Sequence, residues 1–82
     1  MLWRREQGTS MTTQVVAYQG GWDVIYEGAR YAESHHATWA EAVAAGIIQA
    51  RRDGATLVTF DRKGRECTRK PYLRGHSSTL LV

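Results

Sequence analysis

The chain has 82 residues, room for one domain, near the size at which a single core becomes marginal and oligomerisation commonly helps. Hydrophobic residues at 43% and charged ones at 23% exclude a disordered chain, and no apolar run approaches the roughly 18 residues of a membrane span. The formal net charge is +3, the opening MLWRREQGTS lacks the apolar segment of a secretory signal, and the lone Cys67 cannot close an internal disulfide. The expected setting is the cytoplasm.

Residues 1–10 show no period, whereas Met11-Thr12-Thr13 leads straight into an alternating strand pattern, so 1–10 read as an N-terminal extension outside the fold. TQVVAY (13–18), Gln19-Gly20-Gly21 and WDVIYEG (22–28) form a hairpin signature. Period-two alternation places Trp22, Val24 and Tyr26 on one strand face, expected to be the buried one, and Asp23, Ile25 and Glu27 on the other. Gly28 ends the strand, and residues 29–34 read as either a short third strand or an ordered crossing.

Thr38 followed by Glu41 is a capping box, so a helix starts at Trp39. Trp39, Val43, Ile47 and Ala50 recur at helical spacing, and Ala42 with Gly46 widens a small-residue stripe suited to close approach on a sheet. Arg51 and Arg52 complement the negative end of the helix dipole, and Gly54 suits a left-handed cap. ATLVTF (55–60) is the next strand, Asp61-Arg62-Lys63-Gly64 a turn, and RECTRK (65–70) the returning strand. Pro71 cannot donate to a ladder, which ends that strand or marks it as an edge.

The expected fold is α+β: a ββαββ domain over 11–72, one antiparallel sheet with a single helix across one face, and a C-terminal tail over 73–82. One helix covers only one side, yet Val15 and Val16, Val24 and Ile25, and Leu57 and Val58 bring apolar side chains to both. A homodimer is one expected solution for the second face; isolated surface hydrophobes are the other. In the tail, Leu80-Leu81-Val82 reads either as a disordered end or as a strand docking on a neighbour.

Trp22-Asp23-Val24, Glu27-Gly28, Thr38 to Ala42, Gly54 to Val58 and Asp61 to Arg65, in that order and spacing, resemble the bacterial domain-of-unknown-function 2188 family over residues 14 to about 72. The resemblance implies a small prokaryotic or phage-type protein with a strand-strand-helix-strand-strand plan, and it brings no established activity or cofactor. The chain departs from the family pattern in its longer Asp-Arg-Lys-Gly turn, which adds charge at the hairpin tip, and in a helix made small-sided by Ala44, Ala45 and Gly46.

Catalytic and metal-binding patterns are sparse. His35 and His36 are adjacent and point apart on a strand, and a four-ligand zinc site would have to gather them with Cys67 and His76 from distant segments. Cys67 has Arg65 and Arg69 as basic neighbours, but no oxyanion motif, phosphate loop or nucleophile elbow accompanies it. The expectation is a protein that is not an enzyme, with no cofactor, no metal and no small-molecule substrate.

Charge is the remaining signal. Residues 51–74 carry eight basic and three acidic side chains, a net of +5, whereas the first fifty residues carry three basic and five acidic, a net of −2. The basic hairpin attracts phosphate backbones by counterion release, with Tyr72 beside it to stack a base. The expected nucleic-acid-binding residues are Arg62, Lys63, Arg65, Arg69, Lys70, Tyr72 and Arg74, binding DNA or RNA with little sequence selectivity. Two other readings compete: a charged edge strand that blocks aggregation, and a protein-interaction or homo-oligomerisation module that uses Ile25, Val16 or Val58 on the uncovered face or an edge strand.

Overall fold

The computed structural model describes residues 11–72. The expectations for the N-terminal extension and the C-terminal tail, including Arg74, lie outside the described residues. Five strands and one helix follow in the order β1 (Thr12–Tyr18), β2 (Gly21–Tyr26), β3 (Ser34–His36), α1 (Trp39–Asp53), β4 (Thr56–Phe60) and β5 (Glu66–Pro71). They build an α+β fold in which the helix packs on one face of a five-stranded sheet ordered β3-β2-β1-β4-β5.

The β1–β2 hairpin turns through Gln19 and Gly20, both at positive φ (46° and 79°), as a tight turn matching strand twist requires. The buried face of β2 is the one carrying Trp22 and Val24. Gly21 starts β2 because nothing larger fits there: a Cβ would run into the His36 carbonyl and lie 2.8 Å from His35 Nε2. The open question at residues 29–34 resolves as a loop followed by a three-residue strand, in which His36 and His35 pair with Trp22 and Asp23.

The sheet is mixed, which corrects the expectation of a single antiparallel one. β4 joins β1 in parallel, with Thr13 opposite Leu57 and Val15 opposite Thr59. The reason is the third strand. With β3 antiparallel to β2, the chain leaves β3 in the same direction as β1, and the helix then carries it back across β2 and β1 to start β4 in that direction. A strand–helix–strand crossover of this kind delivers parallel strands.

Helix α1 begins as its sequence dictates. Thr38 is extended (φ −123°, ψ 155°) and its hydroxyl accepts from the Glu41 amide at 3.1 Å, while Gly54 closes the far end in the left-handed region (φ 67°) and donates to the Ala50 carbonyl. The buried stripe is Ala42, Gly46 and Ala50, with Val43 and Ile47 flanking it. Trp39, read as part of that stripe, is exposed, so the face is rotated toward the small residues. The core they cover is Val15, Trp22, Val24, Ala55 and Leu57. No helix among the described residues is long and apolar enough to cross a membrane.

Candidate nucleic-acid interface

Asp61 organises the tip of the β4–β5 hairpin. Its Oδ1 accepts from the amides of Lys63 (2.8 Å) and Arg65 (2.9 Å), and its Oδ2 accepts from Arg65 Nε at 2.9 Å. These donors, the Arg65 amide first, hold the Asp61 carboxyl below its ordinary value. Such an Asx-type turn orders four residues without strain and leaves Lys63 projecting from the tip.

Strand β5 forms one edge of the sheet, and all six of its residues are exposed. Strict alternation would put Arg65, Cys67 and Arg69 on one face. The ladder instead pairs Phe60 with Glu66 and Thr59 with Thr68, so Cys67 is an extra residue and the phase shifts there. Glu66 and Arg69 consequently meet on one face, where Arg69 donates from Nε and Nη2 to the two Glu66 oxygens at 3.1 and 3.0 Å. This fork lowers the Glu66 carboxyl and raises the Arg69 guanidinium relative to their ordinary values. The expected single basic strand face is thereby replaced by a basic edge: Arg69 lies on the uncovered side opposite Val58, and Lys70 on the helix side opposite Leu57.

Two aromatic rings hold the other cations. The Arg62 guanidinium lies 4.8 Å from the centroid of Trp22, and Arg51 and Lys70 lie 5.5 and 5.4 Å from that of Tyr72. Tyr72 itself packs against the core and is anchored by its amide to the Ala55 carbonyl at 2.9 Å. Trp22 and Arg51 are contributors that the sequence reading assigned to other tasks, to the core and to the helix dipole. Their second role depends on β5 returning beside α1, which no local pattern announces. Along the edge the charges run from Lys63, Arg65 and Arg62 at the tip, through Arg69, to Lys70 and Arg51 at the helix C-terminus.

The β2–β3 side of the sheet carries a net negative charge, on β2 and the loop after it rather than on the edge strand itself. Residues 22–36 carry Asp23, Glu27 and Glu33 against Arg30, while 61–70 carry five basic and two acidic side chains. Uncharacterized proteins conserved in bacteria (DUF2188) match this chain over residues 13–71. The chain belongs to that family. No curated protein and no solved structure matches it. In this DUF2188 domain the matched residues include both the Asp61 turn just described and Trp22, the ring beneath Arg62.

On the uncovered face, the loop between β2 and β3 rises beside Val16, Tyr18 and Ile25 and walls a groove of about 560 Å³ with Arg30 and Tyr31. At its floor Asp23 Oδ1 and His35 Nδ1 are 2.5 Å apart. Among the described residues no three His, Cys, Asp or Glu side chains stand where they could share a metal ion. Cys67 is exposed at the bulge.

Proposed function

We propose that this DUF2188 domain binds nucleic acid through the phosphate backbone, along the β5 edge, with Arg62, Lys63, Arg65, Arg69 and Lys70 as the contacting cations and Arg51 joining them. The observation that supports the reading is the separation of charge across the sheet, with a net of +3 over residues 61–70 and −2 over residues 22–36 on the β2–β3 side. A phosphate backbone approaching the β5 side is attracted and oriented, whereas approach from the β3 side is opposed.

The intramolecular partners do not remove this capacity. Arg65–Asp61 and Arg69–Glu66 are exposed ion pairs, a class worth little in water and exchangeable for phosphate oxygens. The rings under Arg62, Arg51 and Lys70 order the side chains, which lowers the entropy lost on contact. Among the described residues the helix packs on β1 to β4 rather than along this edge, so contact is to backbone rather than to base edges and selectivity is low.

The test is binding of labelled random duplex DNA and single-stranded RNA at low and moderate salt, by wild type and by an Arg65→Glu, Arg69→Glu, Lys70→Glu variant. The expected result is affinity that falls steeply with salt and is lost in the variant. Binding that is unchanged in the variant, or no binding at low salt, sinks the reading and leaves these residues with the task of protecting an edge strand.

A further inference from the structure

Two carboxylates sit among the cations of the β4–β5 hairpin, and they have different tasks. Asp61 accepts from the amides of Lys63 and Arg65 as well as from Arg65 Nε, so the turn at the tip depends on it. Glu66 has no such task. Among the described residues the only hydrogen-bonding partner of its carboxylate is Arg69, which gives it both Nε and Nη2. The two side chains are 44% and 58% exposed, so nothing packs over the fork and a ligand can reach it.

The pair exists because of the bulge. In a regular strand, residues three apart project to opposite faces, and Glu66 would point away from Arg69. The extra residue at Cys67 instead sets Glu66 opposite Phe60 and Arg69 opposite Val58, two positions of β4 that share a face. A carboxylate grips the side of a guanidinium with two parallel bonds, as a phosphate does. Glu66 therefore fills on Arg69 the position that a pair of phosphate oxygens would take.

We infer that Glu66 is an intramolecular competitor of phosphate, held on Arg69 by the β5 bulge and displaced when nucleic acid binds, so that it lowers the affinity of the basic edge. This inference rests on the nucleic-acid reading above. Two effects act in the same direction. Arg69 exchanges one anionic partner for another, which offsets most of what its phosphate contact contributes. The displaced carboxylate also stays beside the phosphate that replaced it, like charge against like. Asp61 does not act in this way, because its turn amides keep it in place and only one nitrogen of Arg65 is engaged with it.

The test measures binding of labelled random duplex DNA and single-stranded RNA at low salt by wild type, Glu66→Gln, Arg69→Gln and the double variant, each checked for folding by circular dichroism. Glu66→Gln is expected to bind more tightly than wild type. The gain should be about two- to fivefold larger when Arg69 is present than in the Arg69→Gln background, the factor that an exposed ion pair contributes. An equal gain in both backgrounds overturns the inference, because it shows a general effect of charge rather than release of Arg69. Binding that Glu66→Gln leaves unchanged or weakens also overturns it, and in the second case makes Glu66 a positioning residue for Arg69. No binding by wild type or by Glu66→Gln overturns the nucleic-acid reading itself and this inference with it.

Discussion

Tyr26 ends β2 on the helix side of the sheet, and its hydroxyl donates to the Asp53 carboxylate in the last turn of α1. Donation to a carboxylate, reinforced by burial, raises the Tyr26 pKa above its ordinary 10.0. A folded value above the unfolded one means that this contact stabilises the fold fully below the unfolded pKa and is lost as pH rises through the folded one. Tyr26→Phe is therefore expected to cost about 1 kcal/mol at neutral pH, and the gap from wild type should close in urea titrations above pH about 10. A gap that persists unchanged to strongly alkaline pH would show that the hydroxyl is not held this way. The pairing was not legible from the residues. Tyr26 and Asp53 were each assigned correctly to a strand and to a helix end, yet their contact spans 27 positions and exists only because α1 crosses β2.

At the scale of elements, α1 shows how far local pattern reaches. Its start at Thr38 and its stop at Gly54 are read directly, because caps satisfy orphan backbone groups with residues adjacent in sequence. The orientation of its face is less legible, since a helix with apolar residues around much of its circumference turns to whichever side lets it come closest to the sheet. Gly46 decides that: a Cβ there would lie 3.0 Å from Leu57 Cδ1 and 3.3 Å from Val15 Cγ2. Gly46→Val is expected to destabilise by about 1–3 kcal/mol through overpacking, read as a lower denaturant midpoint with an unchanged slope. If the midpoint holds, the helix sits farther from the sheet than described. The β4–β5 hairpin makes the complementary case. Its turn was legible from Asp61 and Gly64, but the bulge at Cys67, which moves Glu66 onto the face of Arg69, has no sequence signature.

For the molecule as a whole, β1 is the organising strand. It pairs with β2 on one side and β4 on the other and lies beneath the helix, whereas β3 and β5 each have one neighbour. Amides of β1 are expected to exchange hydrogen only through global unfolding, and those of β5 and β3 by local opening with far less protection. Equal protection in β1 and β5 would mean that the edge is covered by something outside residues 11–72 of a single chain. The same topology sets the charge layout. Because the crossover carries β4 and β5 to the far side of β1 from β2 and β3, a sequence with an acidic first part and a basic second part becomes a sheet with an acidic side and a basic edge.

Sequence alone determined the class of fold, the family, the two hairpins, both helix ends and the uneven charge, because alternation, capping, turn chemistry and composition act between near neighbours. Tertiary structure alone decided the parallel β1–β4 pairing, the third strand at Ser34–His36, and the use of Trp22 and Tyr72 as platforms for Arg62, Arg51 and Lys70. Among the described residues it also left one sheet face without a helix. The parallel pairing and the ring platforms follow from where the crossover out of β3 deposits β4 and β5, and a long-range closure of that kind is selected by the packing of the whole core rather than by any segment of the chain.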